Sequence, residues 1–144
     1  LILVDTSGIL AALFSDQNWH EECAEALLNA TPPLIISPFV LAETDYLIQK
    51  FGGVDAETLF LAEVGRGAYE LATFDEDEVE AARHLITKYR PLGIGLADAS
   101  IAVLAARYDT LDVLTLDERH FRAIRPLPRK SFRILPADLP RESG

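Results

Sequence analysis

Residues 1–14 read LILVDTSGILAALF, and the change of pattern at Asp5 decides the fold class. Leucines and β-branched residues in an unbroken run suit a short strand buried on both faces, as in a parallel sheet. From Ser7 onward SGILAALF turns helical in character, so a strand, an acid at its carboxyl end and a helix open the chain.

The same alternation continues outward. HEECAEALLNA (20–30) predicts a helix, capped from the preceding Asp16-Gln17-Asn18 turn, and PPLIIS (32–37) a second strand. In SPFVLAETDYLIQKF (37–51), Ser37 suits the N-cap and Pro38 the first helical position. Gly52-Gly53 ends that helix, DAETLFLAEVG (55–65) makes another, and AYELAT (68–73) a third strand. Asp75 and Glu78 have capping-box spacing and open a helix running to about Tyr89. RPLGIG is a loop, LADASIAVLAARY a greasy helix, DVLTL (112–116) a fourth strand and FRIL (132–135) a fifth. Short apolar strands alternating with helices predict an α/β three-layer sandwich with a four- or five-stranded, mostly parallel central sheet flanked by helices. With 144 residues, no repeats and no linker, the expectation is one domain over 1–144, with about 136–144 as a flexible tail.

The composition is ordinary for a globular chain, 49% hydrophobic and 25% charged. Cys23 alone excludes an internal disulfide or a thiolate zinc site and fits a reducing compartment. No apolar run is long enough for a bilayer. The opening LILVD lacks a methionine and shows no signal-peptide pattern; the expectation is a trimmed start. A net charge of −10 argues against a general nucleic-acid coat. Yet Arg119, Arg122, Arg125, Arg129, Lys130 and Arg133 crowd one segment, where a phosphate-facing role competes with plain solvation.

Four acids stand out. Asp5 and Asp117 follow the strands LILV and VLTL, and ligands of open parallel sheets bind beyond such strand ends. Helical spacing puts Asp98 in line with Ile101, Ala102 and Ala105 and opposite Ser100 and Arg107, on the side expected to be buried. Glu43 is flanked at i±3 and i±4 by Phe39, Val40, Tyr46 and Leu47, whereas Asp45 is read as solvated. A buried carboxylate needs compensation. Each acid also has a structural explanation: helix caps for Asp5 and Asp117, the helix dipole for Asp98, a distant arginine for Glu43. Together they form a constellation whose mutual repulsion a hard divalent ion relieves. His20, His84 and His120 share no ligand spacing and read as surface or packing residues. Metal held by acids suits phosphoryl chemistry.

In order, LILVDTSGILAALF, SPFVLAETDYLI, IGLADASIAVLA and VLTLDERHF resemble the four acidic motifs of PIN-domain ribonucleases. Within that family the compact chain is similar to VapC-type toxins of prokaryotic toxin–antitoxin pairs. The resemblance covers nearly the whole chain. It implies a parallel sheet between helices and an Mg²⁺- or Mn²⁺-dependent endoribonuclease leaving a 5′-phosphate and a 3′-hydroxyl. Matched residue by residue, Asp5, Glu43, Asp98 and Asp117 would be the catalytic and metal-site acids. Thr6, Ser7 and Thr115 would be supporting polar residues, and Arg119, Arg122 and Arg125 would contact RNA. The resemblance further implies a homodimer, a cognate antitoxin that places an arginine among the acids, and a cytoplasmic location.

Three alternatives remain in view. A haloacid-dehalogenase-type phosphomonoesterase wants a second aspartate where Ser7 stands, and a response-regulator receiver wants a lysine that VLTLDERHF lacks. A non-catalytic RNA- or protein-binding module would keep the fold without needing all four acids.

Overall fold

The computed structural model of the chain describes residues 1–140. Five strands, β1 (Ile2–Val4), β2 (Leu34–Ile36), β3 (Glu70–Leu71), β4 (Asp112–Leu114) and β5 (Arg133–Leu135), form one sheet in the order β3-β2-β1-β4-β5. All pairings are parallel, with Leu3 opposite Val113 and Val4 opposite Leu114 at the centre. β1, at the centre, is buried along its whole length, which is why it reads as an apolar run rather than an alternating one. The helices are α1 (Thr6–Leu13), α2 (His20–Asn29), α3 (Pro38–Gly65), α4 (Glu76–Lys88), α5 (Leu96–Tyr108) and α6 (Glu118–Ala123), with a 3-10 turn at Arg90–Leu92. No helix is long and apolar enough to cross a membrane.

The strand order reverses between β1 and β4. Chain leaving β1 steps to β2 and β3, and chain leaving β4 steps the other way to β5. Right-handed crossovers therefore put the two sets of helices on opposite faces and leave a crevice at the carboxyl ends of β1 and β4.

Local signals account for most boundaries. Ser37 Oγ accepts from Phe39 N (3.1 Å) with Pro38 next, and Asp75 and Glu78 form the reciprocal capping box. The expected end of a helix at Gly52-Gly53 is a break inside α3: Gly53 adopts φ +84°, and helical structure resumes beyond it. No side chain of the Asp16-Gln17-Asn18 turn caps α2, although Gln17 O accepts from His20 N at 3.3 Å. Trp19 occupies the N-cap in the left-handed region, φ +67°, and α2 is tied to α1 through His20 Nδ1 and the Ala11 carbonyl (2.8 Å). β4 ends at Leu114, earlier than expected, because Thr115 to Asp117 turn into α6. The expected tail is held at one point: Asp138 accepts from Ile134 N (2.8 Å) and pairs with Arg122 (2.8 Å), while residues 141–144 lie outside the described residues.

α1 lies directly on β4 because Gly8 lacks a side chain. A Cβ there would stand 2.7 Å from both Leu114 O and Leu114 Cγ. Gly8→Ala is expected to lower stability by about 1–3 kcal/mol through overpacking. Urea unfolding checks this, and wild-type stability in the variant would contradict so close a packing.

Candidate active site

The acids meet where the topology reverses. Asp5 follows β1, and its backbone N–H bonds to Leu114 O (2.9 Å), which holds it beside β4. It occupies the N-cap position of α1, yet its side chain makes no capping hydrogen bond. Thr115 donates to Asp5 Oδ2 at 2.7 Å and Ser7 at 3.2 Å. Ser7 Oγ also accepts from Leu116 N (2.9 Å), and Thr115 Oγ1 accepts from Asp117 N (3.0 Å). This hydroxyl pair, 3.1 Å apart, stitches the start of α1 to the turn after β4. Asp5 is only 6% exposed, and its pKa is raised to about 6, first by burial and further by the charge of Asp98, against the lowering effect of Thr115.

Asp117 caps α6, its Oδ1 accepting from His120 N at 3.1 Å, so the capping explanation is realised. Its Oδ2 remains directed to the site. Asp98, in the first turn of α5, is half-buried. Its pKa is raised, first by burial; Asp117 and Glu43 add to this, and His120 opposes it. Asp5, Thr6, Ser7, Leu10, Glu43, Leu47, Asp98 and Asp117 line one cleft of about 340 Å³. Among the described residues no lysine or arginine pairs with any of the four acids; the ion pairs of this chain lie elsewhere or involve His120.

Several expectations need correction. Glu43 is exposed, not buried. The core stripe of α3 runs through Val40, Thr44 and Ile48, and Glu43 sits at its edge, at the cleft mouth. Apolar neighbours on a helix do not bury a residue unless a partner covers that face. Asp45 is half-buried rather than solvated; its Oδ1 is buried without a hydrogen-bond partner among the described residues. Glu57, beyond the Gly53 break, lies near it, and the neighbouring Asp45 carboxyl raises the Glu57 pKa. Ser100, placed on the outer face of α5 by periodicity, is fully buried. α5 is covered on almost every side, so periodicity could not sort its faces. Ser100 Oγ donates to Ala97 O (2.6 Å), and Ser37 lies against it at 2.7 Å, which locks the first turns of α3 and α5 together. Thr44 donates to Thr6 (3.1 Å) and joins α3 to α1 beside Glu43.

His120 is neither a surface nor a packing residue. Its Nδ1 lies 3.0 Å from Asp98 Oδ2 and 2.9 Å from Asp117 Oδ2. His20 and His84 do fit the earlier reading, His84 facing Glu80 at the surface. The sequence signal for His120 is its spacing from Asp117, three residues on in one helical turn. Of the arginines, Arg119 is exposed on α6. Arg122 is engaged by Glu118 (2.6 Å) and Asp138, whereas Arg125 is exposed, with one guanidinium nitrogen donating to the Arg122 carbonyl (2.6 Å).

Comparison with known proteins agrees with this geometry. The PIN domain model matches residues 2–126. Ribonuclease VapC26 of Mycobacterium tuberculosis is 42% identical over 135 residues, 94% of this chain and 100% of that protein. Among solved structures, M. tuberculosis VapC20, a sarcin–ricin-loop-cleaving toxin, superposes with a TM-score of 0.77 at 18% identity, over 83% of this chain and 92% of that one. A toxin–antitoxin complex from Klebsiella pneumoniae gives 0.64 at 23%, over 88% of this chain and 98% of that one. VapBC2 from Rickettsia felis, bound to a promoter DNA fragment, gives 0.64 at 22%, over 92% and 97%. With its sheet order, its acids at the strand ends and a relative this similar along its length, the chain belongs to the PIN-domain family, within its VapC group.

Proposed function

We propose that the chain is a divalent-metal-dependent endoribonuclease, the toxin of a toxin–antitoxin pair, and that it works in the cleft between β1 and β4. The observation that carries this reading is the convergence of Asp5, Glu43, Asp98 and Asp117 on one cleft with no lysine or arginine among them. A buried carboxylate with a raised pKa and no cationic partner fits a site built for an added positive charge. Asp5, Asp98 and Asp117 would hold the ion, with Glu43 at the mouth; oxygen donors suit Mg²⁺ or Mn²⁺. When bound, such an ion supplies charge for phosphate oxygens and activates water.

The remaining work falls to the chain. Thr115 and Ser7 fix the Asp5 carboxylate, and the Thr6–Thr44 and Ser37–Ser100 contacts set the helices that carry Glu43 and Asp98. Glu43, exposed at the mouth, is placed to orient water or ligate. Arg119, exposed two residues after Asp117, would meet the RNA backbone, which a body of net charge −10 otherwise repels. The names of the relatives support an RNA substrate and an antitoxin partner. A homodimer and a bacterial cytoplasmic setting complete the proposal.

The test is cleavage of structured and unstructured RNAs by the purified chain with Mg²⁺, Mn²⁺ or excess chelator. Products ending in 5′-phosphate and 3′-hydroxyl are expected with either metal, and none with chelator. Cleavage that persists in chelator ends the metal-nuclease reading; turnover of a small phosphomonoester instead would favour a phosphatase.

A further inference from the structure

His120 brings a nitrogen donor into a site otherwise made of oxygens. Its Nε2 lies 3.0 Å from the Leu92 carbonyl oxygen. A carbonyl only accepts, so Nε2 carries a proton, and in the Nε2–H tautomer Nδ1 is free to offer a lone pair. Nδ1 faces Asp98 Oδ2 at 3.0 Å and Asp117 Oδ2 at 2.9 Å. Two carboxylate oxygens and a ring nitrogen this close need positive charge among them, either a bound cation or a protonated ring.

The spacing is that of ligands around one ion. In an octahedral site with bonds of about 2.1 Å, adjacent ligand atoms stand about 3.0 Å apart. The donor atoms of Asp98, Asp117 and His120 all lie within 4.8 Å of one another. The backbone that carries the ring is also held: His120 N donates to Asp117 Oδ1 at 3.1 Å, and the adjoining Phe121 is fully buried. A backbone carbonyl on the distal nitrogen is the usual device that orients a ligating histidine and selects its tautomer.

We propose that His120 Nδ1 ligates the same cation that Asp98 and Asp117 hold, with the Leu92 carbonyl fixing the tautomer this requires. The assignment rests on the metal-site reading above and deepens it. A nitrogen among carboxylates shifts preference from Mg²⁺ toward Mn²⁺ and other first-row ions, which accept imidazole more readily. The competing arrangement is an imidazolium bridging the two carboxylates as an internal counter-ion, displaced when the cation enters.

Mn²⁺ added to the intact 144-residue chain separates the two. Electron spin-echo envelope modulation of bound Mn²⁺ is expected to show a nitrogen coupling that changes on ¹⁵N-histidine labelling and is lost in His120→Gln. By titration calorimetry, His120→Gln is expected to lower Mn²⁺ affinity by about 10–100-fold and Mg²⁺ affinity much less. Bound Mn²⁺ that Asp98→Asn abolishes, but that shows no nitrogen coupling in the wild type, overturns the ligand assignment and leaves the acid site standing. So does wild-type Mn²⁺ affinity in His120→Gln. A wild-type chain that binds no Mn²⁺ removes both readings. The spectroscopic arm needs no variant, so it decides the matter even if His120→Gln folds poorly.

Discussion

Asp98→Asn is expected to cut RNA cleavage by about 10²–10³-fold, the rate equivalent of the several kcal/mol that a correctly held ion contributes. The substitution keeps shape and removes one negative charge. Asp98 sits where that charge matters most: half-buried at the start of α5, lining the cleft with Asp5, Glu43 and Asp117. The same loss has the opposite effect on the metal-free fold. The Asp98 carboxyl is held above the ordinary aspartate range, first by burial and then by Asp117 and Glu43. Near neutral pH, removing the charge therefore relieves more repulsion and desolvation than it loses in attraction to His120. Metal-free Asp98→Asn should melt at or above the wild-type temperature, and Mg²⁺ or Mn²⁺ should stabilise it less than wild type. Near-wild-type cleavage in a folded variant would take Asp98 out of the machinery; an unchanged response of the melting temperature to metal would take it out of the metal site.

The second large effect is a pH dependence set by Asp5. Its carboxyl rises from 3.8 to about 6 on folding, chiefly through burial. A raised carboxyl pKa means that the native state favours the protonated form. The stability this contributes is complete below about pH 4 and is lost as pH rises through 6. The shift corresponds to about 3 kcal/mol. Other carboxylates titrate in the same window, some in the opposite sense, such as Asp138, lowered by Arg122. The informative quantity is thus a difference. Asp5→Asn keeps an oxygen for Thr115 and has no charge to lose. Without metal, its stability relative to wild type should rise by up to about 3 kcal/mol between pH 4 and pH 7. Added Mn²⁺ at pH 7 should close the gap by stabilising the wild type. Denaturant titrations at pH 4, 5, 6 and 7 measure this, and a gap that stays flat with pH would mean that Asp5 is not strained by burial.

Both effects depend on how the four acids are brought together, which the sequence showed only in part. Asp5 and Asp117 were legible because strands that end in an acid, in a parallel sheet, must deliver it to the same edge. Asp98 was found by an argument that was only half right. The helix faces were assigned from Ser100 and Arg107, yet Ser100 is fully buried and bonded to Ser37. Helical periodicity sorts faces only where one side is wet, and α5 has little wet side. Glu43 was selected as a buried acid and is an exposed one at the cleft mouth, because its apolar neighbours are covered on the Val40–Thr44–Ile48 side only.

What the sequence determined by itself is the alternation and its punctuation. Continuous apolar runs became central strands. Ser37-Pro38 and the Asp75–Glu78 box started helices, and Gly53 broke one, because those effects act within a turn or two of backbone. What only the tertiary structure decided is which groups meet across it. The Thr115 hydroxyl on Asp5 spans 110 residues, the Ser37–Ser100 bond 63, and His120 meets Asp98 across 22. Such contacts are fixed by the parallel register of β1 with β4 and by the close seat of α1 at Gly8, neither of which leaves a local trace in the chain.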